Sequence, residues 1–221
     1  MTNNQKSEAN MTSDITVVLD RSGSMAAVQA DTIGGFNTFL KEQQDAPGAA
    51  VLSLVQFDDV DPQEIVYNAQ PVTDVQPLTA AVFRPRGNTP LLDALGKAIV
   101  RTGERLMALA EGQRPEKVIF VVITDGQENA SHEYTRAQVF EMITHQRERY
   151  AWEILFLGAN QDAVAEAAHY GIPSAMAATY SGTGHGTKNA FAAASSNVRS
   201  ARVGASASFT RAQRSNLKQS K

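Results

Sequence analysis

The sequence predicts an α/β fold, a doubly wound and mostly parallel sheet with helices on both faces, on three observations. Short β-branched apolar runs alternate with longer stretches of helical period, which is the signature of βαβ units. Most of those runs are nearly continuous in apolar residues, as central strands covered on both sides are. One neighbouring pair of runs is joined by a gap too short for a helical crossover, so one antiparallel strand is expected at a sheet edge.

In chain order, the first run is Ile15-Thr16-Val17-Val18-Leu19, and helical spacing follows from Val28 to Phe39. The second run, Val51 to Phe57, is followed after an Asp/Pro-rich gap by Ile65-Val66-Tyr67, which makes these two the antiparallel hairpin. From Leu91 to Leu109 the residues Leu91, Leu92, Leu95, Ile99, Leu106 and Leu109 return to one helical face. Pro90 suits the first turn of that helix, with Thr89 as its expected N-cap. The third long run is Val118 to Ile123, then a helical pattern from Val139 to Tyr150, the run Ile154 to Leu157, and a short helical pattern from Ala163 to His169. Ser181 to Thr187 is Gly-rich like a phosphate-cradling loop but lacks a P-loop's strand, spacing and Lys. It reads as a flexible connector before a last helix near Asn189 to Val203.

Composition narrows the chemistry. With 221 residues, 43% of them apolar, the chain suits one domain with short tails. The expected division is a disordered tail over 1–13, a domain over 14–203, and a basic, flexible tail over 204–221. Without cysteine there is no thiolate ligand or nucleophile, so a metal must be held by oxygen or imidazole. The polar start, Met1 to Asp14, has no apolar h-region, and no stretch approaches the roughly 18 apolar residues of a membrane span, so the expected location is cytoplasmic.

The net charge of −3 is unevenly spread. All 23 Asp and Glu lie at or before Glu166, whereas Lys188, Arg199, Arg202, Arg211, Arg214, Lys218 and Lys221 follow it with no acid among them. Such a C-terminal segment could seek nucleic acid. The favoured expectation is a solvated helix face and tail lying over the protein's own acidic body.

Five oxygen-bearing residues stand where the chain leaves a strand or enters a helix. Asp20 ends the first run and Asp125 the third, so both carboxylates are expected at the carboxyl edge of the sheet, where open α/β sheets bind ligands. Ser22 and Ser24 follow Asp20 on its turn, and Thr89 comes from the loop Arg86-Gly87-Asn88-Thr89-Pro90. Three hydroxyls, two carboxylates and water make an all-oxygen shell suited to a hard octahedral cation, Mg²⁺ or Mn²⁺, with Ca²⁺ as a further option. The alternative is that Asp20 and Ser22 are a helix-capping pair and Thr89 only a cap.

Asp20-Arg21-Ser22-Gly23-Ser24, Gly87-Asn88-Thr89-Pro90-Leu91 and Thr124-Asp125-Gly126 together resemble the complete metal-ion-dependent adhesion site of the von Willebrand factor A domain family. Phe120 to Asn129 and Leu155 to Gln161 resemble its prokaryotic and phage branch, and the likeness covers roughly residues 14 to 203. The resemblance implies a Rossmann-like sheet of six strands with one antiparallel edge strand. It implies a bound Mg²⁺ with an open coordination position that accepts an Asp or Glu of a partner protein, and no catalysis. Ser22, Ser24 and Thr89 are implied as direct ligands, and Asp20 and Asp125 as direct or water-mediated ones.

Neighbouring residues bear on partner choice. Arg21 and Met25 are expected to be exposed beside the metal, with Gln127, Glu128 and Asn129 on the same rim. Asp58, Asp59 and Asp61 form an acidic cluster that could hold Ca²⁺, although carboxylates in a hairpin turn are more often just solvated.

Enzyme readings fare less well. A metal-dependent phosphohydrolase would need a second carboxylate two residues after Asp20 as acid/base, and that position is Ser22. Neither Ser22 nor Ser24 lies in a Gly-x-Ser-x-Gly elbow, and His132, His145, His169 and His185 have no metal-ligand spacing. The expected function is Mg²⁺-dependent protein binding. The alternatives are a phosphohydrolase-like enzyme and a nucleic-acid-associated protein working through its basic tail; neither nucleic acid nor a membrane is the expected partner.

Overall fold

The computed structural model describes residues 12–159 and 162–219. Its strands are β1 (Ser13–Asp20), β2 (Ala50–Phe57), β3 (Glu64–Pro71), β4 (Lys117–Thr124), β5 (Glu153–Ala159) and β6 (Ala177–Tyr180). They form one sheet in the order β3-β2-β1-β4-β5-β6, in which only the β2–β3 pair is antiparallel. The edge hairpin and the parallel centre are as the run spacing requires. The sixth strand, only four residues long, follows no extended apolar run and has no counterpart among the runs read from the sequence.

The helices are α1 (Gln29–Gln44), α2 (Leu91–Met107), α3 (Arg136–Tyr150), α4 (Ala163–His169), α5 (Gly184–Arg202) and α6 (Arg211–Leu217). Alternation along each strand sends side chains to two cores. Ile15, Val17 and Leu19 of β1 and Ile119, Val121 and Ile123 of β4 pack with Phe36, Phe39 and Phe191 of α1 and α5. Val18, Phe120 and Val122 face Leu95 and Ile99 of α2 and Val139 and Ile143 of α3. Because both faces of the central strands are covered, their sequences lack the polar alternation of a half-exposed sheet.

Helix starts follow local chemistry where a cap exists. Thr135 and Gln138 form a capping box at α3, and Thr210 and Gln213 form another at α6. Thr183 accepts from the Gly186 amide at the start of α5. The helix α2 differs from expectation: its N-cap position is Pro90, not Thr89, and makes no side-chain cap. Glu128 instead accepts from the Leu92 amide at 2.9 Å from across the sheet edge. A carboxylate near the first turn satisfies a free amide and the helix dipole equally well from a distant loop.

Three boundary expectations change. Ser13, placed in a disordered tail, is the first residue of β1 and is buried, while residues 1–11 lie outside the described residues. The Gly-rich stretch from Ser181 to Thr187 is not a flexible connector throughout, because α5 begins within it at Gly184. The expected flexible tail after 203 forms α6, anchored by buried Ala207, Phe209 and Leu217. Much of the late positive charge is engaged with the protein's own body. Arg202 donates to the carbonyls of Gln43, Pro47 and Gly48, Arg214 to those of Ser174, Ala175 and Ala177, and Lys188 and Arg199 pair with Asp31 and Glu42. Among the described residues no helix is long and apolar enough to cross a membrane.

Candidate metal centre

The chain leaves β1 on the β2 side and later places β4 on the opposite side of β1, so the strand order reverses between β1 and β4. At such a switch point the loops from adjacent strand ends diverge to opposite faces and leave a crevice. Asp20 ends β1 and Thr124 ends β4, and Leu19 is in register with Ile123. Two carboxylates, of Asp20 and Asp125, are therefore delivered to one crevice by strand register.

The Ser-rich turn closes over them. The Asp20 carboxylate accepts from the Ser22 amide at 2.7 Å and from the Thr124 hydroxyl at 2.6 Å. The Ser22 and Ser24 hydroxyls are 3.0 Å apart, and the Ser24 hydroxyl donates to Asp125 at 2.6 Å. Thr89 approaches from the third loop: a Cβ built on Gly126 would lie 2.7 Å from Thr89 Oγ1. Its backbone is pinned by Asn129, whose side chain accepts from the Thr89 amide at 2.9 Å and whose amide donates to the Thr89 carbonyl at 3.2 Å. All five residues singled out in the sequence thus meet in one place.

The electrostatics of the crevice are one-sided. Burial pushes Asp20 up to about 6, against the hydrogen bonds from Thr124 and Ser22, and the nearby charge of Asp125 adds to the rise. Asp125 is also raised by burial, with the Ser24 hydrogen bond opposing. Tyr180, which ends β6 and donates to the Thr124 carbonyl, is held well above the ordinary phenol range by burial and then by the charges of Asp125 and Asp20. Among the described residues neither carboxylate is ion-paired with Lys or Arg. Two inward carboxylates without a protein countercharge, ringed by three hydroxyls, are a donor set that fits a hard divalent cation and gives no place to a soft one.

Several neighbours stand elsewhere than expected. Arg21 and Met25 are not exposed beside the crevice; they are 3% and 0% exposed. Met25 lies in the 3-10 turn Gly23–Val28 that drops it into the core, and Arg21 turns away to Asp58 and Glu64. Glu128 is half-buried and turns to cap α2, whereas Gln127 and Asn129 are exposed on the rim, Asn129 also accepting from the Thr89 amide. The acidic cluster is not poised for Ca²⁺: Asp58 is held by two arginines, Asp59 accepts from Asn88, and Asp61 accepts from the Gln63 amide. No group of three or more acidic or imidazole side chains suited to a metal occurs among the described residues. Asn160 and Gln161 lie outside them.

Thr124 and Tyr180 were not assigned roles from sequence. The hydroxyl directly preceding Asp125 is the local signal for Thr124, which stands one step past the Leu19–Ile123 pair and donates to the Asp20 carboxylate. Nothing local marks Tyr180, which reaches the site only through the pairing of β6 with β5.

The family model of the von Willebrand factor type A domain matches residues 14–172. No curated protein matches the chain. Similar solved structures include proximal thread matrix protein 1 from the mussel byssus with its MIDAS motif, the adhesion site named above, occupied by zinc. It is 16% identical with a TM-score of 0.57, over 88% of this chain and 46% of that one. A von Willebrand factor type A protein from Catenulispora acidiphila is 14% identical with a TM-score of 0.56, over 88% of this chain and 42% of that one. The pilus adhesin SpaC from Lactobacillus rhamnosus GG, in its open conformation, is 14% identical with a TM-score of 0.60, over 88% and 31%. This chain spans less than half the length of each of these proteins, and at such identities the likeness speaks for the fold. With the family model covering most of the sheet and both carboxylate-bearing strand ends, the chain belongs to the von Willebrand factor type A domain family.

Proposed function

We propose that this chain is a Mg²⁺-dependent protein-binding module without catalytic activity, of the prokaryotic or phage branch of its family, carrying a complete metal-ion-dependent adhesion site. The observation that carries this reading is the convergence of two carboxylates lacking a protein countercharge with three hydroxyls at the β1/β4 switch point. Ser22, Ser24 and Thr89 would hold the ion directly, with Asp20 and Asp125 bound directly or through water. Mg²⁺ is the best match, and Mn²⁺ or Ca²⁺ would suit the same oxygens. A zinc-occupied MIDAS motif in one structural neighbour and the adhesin role of another support a divalent-ion binding module.

When bound, the cation would supply an electrophilic point of attachment for an Asp or Glu of a partner protein, because the hydroxyls contribute no formal charge. The chain's residues prepare that point. Thr124 and the Ser22 amide hold Asp20 in one orientation. Asp125 orients Ser24, and Asn129 fixes the Thr89 backbone. Gly23, Ser24, Gly87, Asn88 and Gln127 make an exposed rim for the partner to meet. A cytoplasmic location remains part of this proposal.

The test is capture on the immobilised chain. A partner bridged through the ion is retained in Mg²⁺, released by chelator, and not retained by Thr89→Ala; retention unaffected by both chelation and Thr89→Ala would sink the reading. Gly126→Ala makes a second, milder probe. Its methyl would press on Thr89 Oγ1, on a buried side chain stiff at χ1, so a cation-free urea midpoint is measured beside it. Mg²⁺ affinity, read by calorimetric titration, should fall roughly 10-fold, the scale of a displaced or misoriented ligand.

A further inference from the structure

The loop that carries Thr89 is held by few elements of its own. From Val75 to Pro90 the chain forms neither helix nor strand, yet Thr89 is 3% exposed and sits against Gly126. Part of its support is backbone: the Arg86 amide donates to the Arg21 carbonyl at 2.9 Å, and the Gly23 amide to the Gly87 carbonyl at 3.0 Å. Gly87 has φ +66°, and a Cβ there would collide with the Asp59 carboxylate, so the loop can press this closely only with glycine at 87.

Asn129 holds Thr89 and Asp59 holds Asn88, and one buried carboxylate ties the loop at Arg86 to the turn after β1. Asp58 follows β2 and is fully buried. Its Oδ1 accepts from the amides of Val60 and Asp61 at 2.8 Å each, which fixes its orientation. Its Oδ2 accepts from Arg21 Nε at 2.8 Å, lies 2.7 Å from Arg21 Nη2, and accepts from Arg86 Nε at 2.8 Å. Arg21 stands between Asp20 and Ser22, and Arg86 stands three residues before Thr89. A single carboxylate therefore straps together the two loops that bear four of the five site residues.

We propose that Asp58, acting through Arg21 and Arg86, is a positioning residue of the metal site that sets the Thr89 hydroxyl relative to Ser22 and Ser24. The inference rests on the metal reading of that site. The Asp58 oxygens are taken by four hydrogen-bond donors and the Arg21 Nη2 ion-pair contact, none of them from the five site residues. Two charge-assisted contacts to one buried oxygen give the strap more stiffness than the neutral backbone bonds beside it. Arg86 is half-exposed whereas Arg21 is buried, so the two arms of the strap can be cut separately. Cutting the Arg86 arm loosens the Thr89 loop and leaves the buried Arg21–Asp58 pair in place.

The experiment measures Mg²⁺ affinity by calorimetric titration and cation-free stability by urea unfolding for the wild type, Arg86→Gln, Asp58→Asn and Asp20→Ala. Arg86→Gln is expected to bind Mg²⁺ about 10-fold more weakly at a nearly unchanged urea midpoint, and Asp58→Asn at least as weakly, as loss of an orienting partner does at metal sites. If Arg86→Gln binds within twofold of the wild type, the proposal is overturned, whether or not Asp58→Asn folds. A lowered urea midpoint with unchanged affinity likewise reduces Asp58 to a structural ion pair and overturns it. Failure of the metal reading looks different: Asp20→Ala would then bind Mg²⁺ as the wild type does, or the wild type would not bind it at all.

Discussion

Asp20→Asn should make the cation-free protein more stable and abolish its response to Mg²⁺. Asp20 is fully buried and burial raises it to about 6 from 3.8, so its charged form is disfavoured in the fold. A carboxyl raised in this way contributes stability that is fully present below its unfolded value and lost as pH rises through its folded value. Near neutral pH the cost is on the order of 3 kcal/mol, since each unit corresponds to about 1.4 kcal/mol. Asparagine keeps the shape and can still accept from the Ser22 amide. Its Nδ2 would face Thr124 Oγ1, which can turn to accept that bond while donating to the Gly126 carbonyl. In chelator, urea unfolding of the two proteins should coincide at about pH 4 and separate above about pH 6, with the variant the more stable. Adding Mg²⁺ should stabilise only the wild type. A variant that is less stable near neutral pH, or that keeps the full Mg²⁺ shift, would contradict the role given to this carboxylate. The pH trend is distinctive because Asp58 works with the opposite sign: burial raises it, but Arg86, the Asp61 amide, Arg21 and the Val60 amide together outweigh burial and lower it, so its contribution is lost as pH falls.

Ending the chain at Gly204 should destabilise the domain by about 3 kcal/mol or more, the scale of re-exposing one buried Phe and one buried Leu side chain. Phe209 and Leu217 are 6% and 1% exposed, and both belong to the core between the sheet, α1 and α5. The same cut removes Arg214, which donates to three carbonyls beside and within β6 and lies 5.8 Å over the Phe209 ring. It also removes the Leu217 carbonyl that accepts from the Ser181 amide at 2.8 Å. β6 is a four-residue edge strand, so loss of its cover leaves unpaired backbone groups open to other chains. Urea unfolding and light scattering of the truncated chain should show a lower midpoint and self-association. An unchanged midpoint would mean that the segment is the dispensable basic tail its composition suggests.

The fold was largely legible because its central strands are buried on both faces. Val118 to Ile123 and Ile15 to Leu19 declare themselves as apolar runs, and the Asp/Pro gap before Ile65 admits only a hairpin. β6 was not legible for the complementary reason: Ala177-Ala178-Thr179-Tyr180 is short and weakly apolar, and it becomes a strand by pairing with β5. Composition misleads at the C-terminal segment, since two large apolar residues among Ser, Arg and Gln look like disorder until a hydrophobic surface is present to receive them. At the site, Asp20, Ser22, Ser24, Thr89 and Asp125 could be listed from strand ends and loop chemistry. Arg21 could not be placed in advance, because a cation beside an acidic site reads as exposed until Asp58 is seen to have buried it.

The sequence by itself determined the βαβ order, the antiparallel edge, and which oxygens stand at the carboxyl ends of β1 and β4. These follow from periodicity and from the position of each polar residue relative to an apolar run, both local properties. Only the tertiary structure decided that α2 is capped by Glu128 instead of Thr89, that Asp58 ties the Asp20 and Thr89 loops together, and that the last helix closes the β6 edge. Each of those joins residues more than about two dozen positions apart. Such contacts depend on how loops cross at the switch point, and loop crossing is settled by packing, which the order of residues does not display.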